Sequence, residues 1–410
     1  MPKLQVPFFR PALQEAEVNE VVATLRSGWL TSGPKVKRFE AEFAAAVSAN
    51  GKEQRAKSQV HAVALNSGTA ALHLAVEALG LKPGQGVLVP TMTFAATAEV
   101  VRYQGAIPIL VDCDPVTLNM DLADASQRSD VRCQRSKATK VVGIMPVHVG
   151  GKLMDLEELG RFAAKHKLWT VEDAAHAFPV GWRRSADQPW QQRSNGSRAV
   201  TCYSFYANKT ITTGEGGMAV TSSAKLAERM RLMSLHGLSA DAWGRYSANG
   251  SWDYKIVAPG YKYNLTDIAA AIGIHQLSRA ETMRREREEL ARRYCEALAG
   301  VEQIELPSHD ANRIESWHLF AIRLQLRRLK INRDAFMTEL KRAGVGCSVH
   351  WRPLHLHPYY QKTFGWRAKD YPVATEQKRL ISLPIFPGMR EDEFEHVTGT
   401  LKRMCKRHAR

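Results

Sequence analysis

One lysine in this chain is placed where it could act as a nucleophile. Lys209 follows the run Val-Thr-Cys-Tyr-Ser-Phe-Tyr at residues 200–206 and precedes Gly214, Gly216 and Gly217. An ammonium group among apolar and hydroxyl side chains is unfavourable, so the pKa of Lys209 should fall and its free amine should condense with an aldehyde. Taken alone, the segment is more typical of a solvated lysine before a turn, and other segments must decide.

A second segment has the composition of a phosphate-binding helix start. Residues 66–72 read Asn-Ser-Gly-Thr-Ala-Ala-Leu, where a strand-like run ends in small residues and a helix-like run begins. The free N–H groups and positive dipole end of a helix N-terminus, with the hydroxyls of Ser67 and Thr69, can converge on an anion. The same residues also suit an ordinary N-cap by Ser67 or Thr69.

Two further segments place a carboxylate, an imidazole and an aromatic ring at strand ends. Asp173 follows a strand-like run at residues 169–172, and His176 lies three residues later. A carboxylate at this position faces the ligand crevice of an open α/β sheet, where it can keep the nitrogen of a pyridine ring protonated while His176 contacts the ring. Phe94, at another strand-to-helix junction, can stack on a planar ligand. A strand-end cap, a core histidine and a core aromatic are the alternative interpretations.

Alternating strand-like and helix-like runs predict how these residues come together. From about Val60 to Ser222 the pattern is typical of βαβ units around a largely parallel sheet flanked by helices, which brings the strand ends and Lys209 to one edge. The predicted strands are residues 62–65, 87–89, 107–111, 141–145 and 169–172, and the clearest helices are residues 69–79 and 156–164.

The remainder of the chain has a different pattern. After Pro259 we expect a long charged helix from about Thr266 to Ala299, followed by the mixed strands and helices of a second, smaller domain. Residues 181–196 are polar and predict an exposed loop.

Composition excludes several classes of protein. With 410 residues, 44% of them hydrophobic, the chain can bury a large core, and no run approaches the roughly 20 apolar residues of a membrane-spanning helix. The N-terminus lacks the apolar run of a signal peptide, so we expect a cytoplasmic protein without membrane binding. The six cysteines are far apart and form no CxxC pair, which indicates neither a metal site nor a disulfide framework.

The formal net charge of +16 is compatible with nucleic acid, a membrane surface or an anionic small substrate. Much of the positive charge alternates with glutamate on predicted helices, as on a solvated helix face. No helix-turn-helix, zinc or RNP-type pattern accompanies it, so we expect no specific nucleic-acid binding.

Six motifs in order along the chain resemble those of one enzyme family. They are residues 66–72, 93–97, 146–151, 172–177, 204–209 and 214–217, and the similarity extends from residues 27–34 to residues 259–267 and 382–387. The set resembles the DegT/DnrJ/EryC1/StrS family of nucleotide-sugar aminotransferases, which depend on pyridoxal 5'-phosphate (PLP), over nearly the whole chain. The resemblance implies the aspartate-aminotransferase-like α/β fold (fold type I), with a large PLP-binding domain at residues 1–262 and a smaller α+β domain at residues 263–410.

The resemblance also implies roles for individual residues. Lys209 would bind PLP covalently and move a proton between the amino-acid Cα and the cofactor, which would pass through pyridoxamine 5'-phosphate during turnover. Asp173 would pair with the pyridinium nitrogen, and Phe94 and His176 would enclose the ring. Asn264 would reach the cofactor phosphate of a neighbouring subunit, which implies a homodimer with shared active sites. The resemblance assigns the phosphate to Thr69 and Ala70 with the Ser204 hydroxyl, and it places Ser67 and Gly68 in the same cofactor site. It assigns the substrate to Trp29, Arg245, His350 and Arg352.

For the reaction, the resemblance implies amino transfer from L-glutamate to a nucleotide-linked keto sugar, such as a UDP- or dTDP-4-keto sugar. The product would be an amino sugar for a surface polysaccharide, a lipopolysaccharide or a glycosylated metabolite. The tract at residues 50–59 and the loop at residues 182–195 are longer than the family pattern, which leaves the sugar open. Segments that look most like enzymes aminating C4, of the UDP-4-amino-4-deoxy-L-arabinose type, are residues 236–238, 241–242, 261–267 and 317–320.

Other functions are compatible with parts of the same sequence. Transamination of a cyclitol or an antibiotic precursor is an alternative within PLP chemistry. A non-catalytic PLP-binding regulator is an alternative of a different class. Family members that dehydrate or deoxygenate sugars have histidine in place of the lysine, so Lys209 argues against that reaction.

Overall fold

A seven-stranded sheet forms the centre of the computed structural model, which describes residues 4–48, 59–130, 140–194, 196–238 and 255–410. Its strands are β1 (His61–Leu65), β2 (Gly86–Pro90), β3 (Ile107–Val111), β4 (Val141–Ile144), β5 (Trp169–Asp173), β7 (Ala199–Ser204) and β8 (Gly217–Thr221), while β6 (Gly181–Trp182) lies outside it. The order is β1-β8-β7-β5-β4-β2-β3, and the strands are parallel except for β8, which is antiparallel to β1 and β7. The predicted α/β sheet is confirmed.

Helices cover both faces of this sheet. In chain order the described helices are α1 (Glu15–Ser27), α2 (Pro34–Ala46), α3 (Gly68–Ala78), α4 (Ala95–Tyr103), α5 (Leu122–Asp130), α6 (Leu156–Lys165), α7 (Ala224–Ser234), α8 (Asp267–Ser278), α9 (Ala280–Leu298), α10 (Arg333–Arg342), α11 (Pro358–Phe364), α12 (Pro372–Glu376) and α13 (Glu391–Arg407). Side chains alternate along a strand, so Val87 and Val89 of β2 pack with α3 and α4, whereas Leu88 packs with α6 on the opposite face. This two-sided burial explains why the strands are continuous apolar runs in the sequence.

The C-terminal part of the chain builds a separate core around a small antiparallel sheet. The strands of this sheet are β12 (Leu380–Leu383), β11 (Phe320–Leu324) and β9 (Ile304–Glu305), in that order, and α9, α10 and α13 contribute to the same core. Helix α8, by contrast, buries Ile274 in the core that contains Phe39 and Phe43 of α2. Helix α9 joins the two cores, because Ala280 and Met283 pack with α8 whereas its residues from Leu290 onward pack in the C-terminal core. The domain division after residue 262 stays a prediction.

The N-terminal segment joins the C-terminal core. The N–H of Val6 donates to Gly344 O (2.8 Å), its carbonyl accepts from Gly346 N (2.8 Å), and its side chain is buried in that core. Arg10 extends the connection through a 2.6 Å hydrogen bond to Glu393 on α13. The two ends of the chain therefore stabilise each other.

The single long helix predicted from Thr266 to Ala299 is wrong, because the segment forms two helices, α8 and α9. Arg279 separates them with φ −104° and ψ 0°, and its guanidinium donates to Ala12 O (2.7 Å). Helix α8 is apolar on nearly all sides and packs against α1 and α2, whereas α9 is charged on its outer face and packs in the C-terminal core. No glycine or proline marks the break, so the pattern does not reveal it.

The exposed loop predicted at residues 181–196 is also wrong in part. Strand β6 pairs with β10 (Arg313–Ile314), and Trp182 exchanges two 2.7 Å backbone hydrogen bonds with Gln191. Trp182 and Arg193 are buried. Pairing with a strand more than a hundred residues away orders this polar segment, and local composition does not show such pairing.

Within the described residues, no helix has the length and apolar character needed to cross a membrane. The described cysteines, Cys113, Cys202, Cys295, Cys347 and Cys405, are free thiols.

The packing of α2 on the sheet yields a test of the fold. Phe43 is fully buried against Phe178, Tyr203 and Phe205, with ring centroids 4.7 to 5.5 Å away. We expect Phe43→Ala to lower the free energy of unfolding by about 3–5 kcal/mol, because it removes this contact and leaves a cavity. Denaturant titration measures the change. Lys37→Ala, on the exposed face of the same helix, is the control, and an equal loss there would contradict the predicted packing.

Candidate active site

A cavity of about 520 Å³ opens at the edge of the sheet where the parallel strands end. The start of α3 and the turns after β2, β5 and β7 form its walls, together with residues 349–351 from the C-terminal part of the chain. The structure thus brings together most of the predicted site. The predicted residues that line this cavity are Ser67, Gly68, Thr69, Phe94, Asp173, His176, Ser204, Lys209 and His350.

Lys209 lies in the turn between β7 and β8. Its backbone N–H donates to Tyr206 O (2.9 Å), and the N–H of Thr213 closes the turn on Phe205 O (3.0 Å). Burial lowers the pKa of Lys209 to about 8, although the negative charge of Asp173 opposes this shift. The amine therefore loses its proton far more readily than that of a solvated lysine, as the sequence predicts.

Asp173 is buried at the end of β5 and accepts two hydrogen bonds. Thr97 Oγ1 donates to Asp173 Oδ2 (2.7 Å), and Ala175 N donates to Asp173 Oδ1 (3.1 Å). Burial raises the pKa of Asp173, while these two bonds and the charge of Lys209 act in the opposite direction. Thr97 is missing from the predicted site. The hydroxyl of Thr97 contacts Thr93 Oγ1 (2.7 Å), four residues earlier in the chain. This Thr-x-x-x-Thr spacing is the signal that could have identified Thr97.

Helix α3 begins in close contact with the ends of β7 and β8. Ser67 Oγ accepts from Ala70 N (3.0 Å), so Ser67 is an N-cap as well as a cavity residue. A Cβ atom at Gly68 would lie 2.9 Å from Ser204 Cβ, and one at Gly217 would lie 2.3 Å from Ser67 O, so glycine is required at both positions. The N–H of Ala70 is bonded to Ser67, and Ala70 lies outside the described cavity wall, so its phosphate contact stays a prediction.

His176 is buried in contact with two other aromatic rings. Its Nδ1 accepts from Gly150 N (3.3 Å), and its ring centroid lies 5.0 Å from that of Trp351 and 4.2 Å from that of His318. Burial and the nearby charge of Lys209 hold the pKa of His176 well below its usual value, so the ring is neutral. Trp351 and His318 are missing from the predicted site, because aromatic residues of this kind are also common in cores.

His350 reaches the cavity from the C-terminal part of the chain. Its Nδ1 lies 2.9 Å from Ser382 Oγ, and its ring stacks on Phe8 with centroids 5.6 Å apart. Burial and the charge of Lys209 lower the pKa of His350 to about 4, so it is neutral at physiological pH. His350 can therefore offer a ligand a hydrogen bond without a positive charge.

Trp29 and Asn264, both predicted to contact ligands, lie outside this described cavity wall and come together elsewhere. Trp29 Nε1 donates to Ser32 O (3.1 Å), and Asn264 Nδ2 donates to Ser32 Oγ (2.8 Å). Lys262 Nζ donates to Asn264 Oδ1 (2.7 Å) and orients the amide. We call these residues, Trp29, Ser32, Lys262 and Asn264, the Ser32 cluster.

The other two predicted substrate contacts are not placed at the cavity. Arg352 is exposed, lies outside the described wall, and donates from Nη2 to Leu356 O (2.7 Å). Arg245 lies outside the described residues, as do residues 241–242 and most of the tract at residues 50–59.

Comparison with known proteins identifies the family. The family model for the DegT/DnrJ/EryC1/StrS aminotransferases matches residues 11–402. The chain belongs to this family. It is 40% identical over 405 residues to the spore coat polysaccharide biosynthesis protein SpsC of Bacillus subtilis, covering 98% of this chain and 97% of that protein. It is also 41% identical over 400 residues to the uncharacterized protein MJ1066 of Methanocaldococcus jannaschii, with 97% of each chain covered.

Solved structures agree with the family. The putative sugar aminotransferase Spr1654 from Streptococcus pneumoniae, in its pyridoxamine-phosphate form, superposes with a TM-score of 0.84 at 32% identity over 98% of both chains. Its PLP form gives a TM-score of 0.83 at 31% identity over 98% of this chain and 99% of that one. The protein is therefore a PLP-dependent aminotransferase of fold type I, as the motifs predict. The non-catalytic alternative is not supported.

The cavity residues suit PLP chemically. The first N–H groups of α3 have no acceptor within the helix and, with the Ser204 hydroxyl, can bind a phosphate. Asp173 can pair with a protonated ring nitrogen, and the Lys209 amine can bond to an aldehyde. Phe94, at the rim, is free to stack on a ring.

The lowered pKa of Lys209 predicts how its reactivity depends on pH. Only the neutral amine attacks an aldehyde, so the rate at which the cofactor-free protein forms an adduct with PLP should rise up to about pH 8 and level off above it. Borohydride reduction followed by mass spectrometry measures the rate and locates the modified residue. Lys209→Arg should form no adduct at this position. A midpoint in the ordinary lysine range would contradict the prediction.

Proposed function

We propose that this aminotransferase moves the amino group of L-glutamate to the keto group of a nucleotide-linked sugar. The observation that carries the proposal is the Lys209 amine, with its pKa near 8, in one cavity with the buried Asp173 carboxylate and the start of α3. The family and the polysaccharide-biosynthesis name of the Bacillus relative support a sugar as the acceptor.

Each of these cavity residues has a separate role in the proposed reaction. When bound, PLP supplies an aldehyde carbon that takes up the amino group and a conjugated ring that stabilises negative charge. Asp173, whose bonds from Thr97 and Ala175 favour its ionised form, holds a proton on the ring nitrogen. With the cofactor bound, Lys209 would accept the proton from the donor Cα and deliver it to the adjoining cofactor carbon, and it would move the proton in the reverse direction with the sugar. Phe94 restricts the ring at the rim.

The acceptor side of the cavity suits a polar but uncharged ring. His176 and His350 are neutral, and Trp351 adds an apolar surface on which a sugar ring can pack. None of the described residues at positions 182–194 lines the cavity. The sugar ring of a UDP- or dTDP-4-keto sugar fits these properties. The arabinose-type substrate and the cytoplasmic location stay predictions.

We also propose a homodimer in which each subunit completes the site of the other. Phe94 and Tyr206 line the cavity and are 62% and 45% exposed, so a second subunit can cover them. Trp29 and Asn264 belong to the Ser32 cluster instead of this cavity, as expected if they serve the site of a second copy. Asn264 would then reach the cofactor phosphate of that copy.

Transfer of labelled nitrogen tests the donor and the acceptor. We expect label from L-glutamate to appear in a member of a panel of UDP- and dTDP-linked 4-keto sugars and not in keto cyclitols, because a nucleotide-sugar site leaves polar groups unpaired when the nucleotide is missing. Mass spectrometry of the products measures the transfer. Label in a cyclitol and in no nucleotide sugar would favour the alternative reaction.

Lys209→Ala is the matched control for this assay. We expect it to abolish the visible absorption of covalently bound PLP and to lower kcat by at least about a thousandfold, because the base that moves the proton is gone. An unchanged absorption spectrum would contradict the role of Lys209.

Complementation between two inactive variants tests the shared site. If Asn264 acts in the partner's site, mixing and refolding Lys209→Ala with Asn264→Ala subunits gives mixed dimers with one intact site, and activity should return to about a quarter of the wild-type value. Each variant alone serves as the control. No recovery, with mixed dimers present by native mass spectrometry, would place Asn264 in its own subunit's site.

A further inference from the structure

Glu215 is a second carboxylate at the cavity, and no role has been assigned to it above. It lines the wall from the turn between Lys209 and β8 and is exposed to the cavity mouth. Within the described chain its carboxylate has no hydrogen-bond or ion-pair partner. Asp173, by contrast, is buried and already bonded to Thr97 and Ala175. Glu215 therefore has its full hydrogen-bonding capacity available to a ligand.

The backbone around Glu215 is held firmly. Thr213 Oγ1 donates to the carbonyl of Glu215 (2.7 Å), and Phe205 N donates to Gly216 O (2.8 Å). Gly214 has φ +81°, and its N–H donates to Thr212 Oγ1 (2.9 Å). A carboxylate on such a fixed turn has little backbone entropy to lose when it binds a ligand.

The charges facing Glu215 decide which ligand groups it can accept. The described wall contains Lys209 as its cation and no arginine, and His176 and His350 are neutral. An ionised carboxylate only accepts hydrogen bonds, so it attracts hydroxyl groups and repels phosphates and other carboxylates. The turn at Glu215 thus favours the hydroxyl-bearing ring of a substrate over its diphosphate.

We propose that Glu215 accepts hydrogen bonds from the ring hydroxyls of the sugar next to its keto carbon and thereby selects a hydroxylated sugar as acceptor. This inference rests on the proposed function and names a specificity-determining residue for it. A solvated glutamate without a role is the alternative. Glu228 on α7 has that character, because it is exposed and lies away from the described cavity wall.

The test compares the two half-reactions of the wild-type and Glu215→Gln holoenzymes. With the keto-sugar nucleotide that the wild type accepts fastest, KM should rise on the order of tenfold and kcat should change less, because glutamine weakens one charge-assisted hydrogen bond. With L-glutamate, followed by the absorption of the cofactor, KM should stay the same or fall, because glutamine removes a charge that repels the donor carboxylates. The variant should also lose the preference of the wild type for the sugar over an analogue that lacks the hydroxyl.

Controls separate this role from a structural one. Glu228→Gln should leave both half-reactions unchanged, and Glu215→Asp, which keeps the charge on a shorter side chain, should give an intermediate KM for the sugar. The role of Glu215 would be overturned if Glu215→Gln kept the wild-type KM for the sugar. It would also be overturned if the KM for L-glutamate rose as much as the KM for the sugar. A wild-type enzyme that transfers nitrogen to no nucleotide sugar would overturn the proposed function and this inference together.

Discussion

The site depends on the electrostatic balance between Lys209 and Asp173, which line the same cavity. Burial disfavours charge on both groups, which lowers the pKa of the lysine and raises that of the aspartate, while their mutual attraction acts against both shifts. Thr97 and Ala175 add hydrogen bonds that only a carboxylate can fully accept. The result is a Lys209 amine that gives up its proton easily and an Asp173 carboxylate that keeps its hydrogen bonds to Thr97 and Ala175. This pair suits proton transfer.

The sheet makes this balance possible because one group lies on a central strand and the other in a hydrogen-bonded turn between two neighbouring strands. Asp173 ends one central strand, and Lys209 lies in the turn after the neighbouring strand, so their relative position depends on strand pairing and on the hydrogen bonds that close this turn. The glycines at positions 68 and 217 let the start of α3 approach the same edge. A side chain at either position would push the N-terminus of α3 away from the ends of β7 and β8 and so from the other residues of the cavity.

Much of this arrangement could be predicted from the sequence, and the failures share one cause. Strands β1 to β5 are apolar runs buried on both faces, and parallel strands bring the residues after them to one edge, so the grouping of Ser67, Asp173 and Lys209 follows from local pattern and topology. The break at Arg279 and the pairing of Trp182 depend on contacts with distant segments. Thr97 and Trp351 also depend on distant segments. Thr97 can be assigned to the site only because Asp173 lies beside it, and Trp351 only because the ring of His176 does. Hydrophobic periodicity cannot identify the cofactor, and the family motifs do.

The packing of residues 6–10 against the C-terminal core has a consequence for biosynthesis. Val6 is held between Gly344 and Gly346, Arg10 is bonded to Glu393, and Phe8 stacks on His350. Val6, Phe8 and Arg10 therefore have no binding site until segments more than 300 residues later in the chain have been synthesised. His350 acquires its stacking partner in the same late event. The acceptor side of the cavity thus forms only after residues 349–351 have been synthesised, so a chain truncated before them would lack this wall even with its PLP-binding sheet in place.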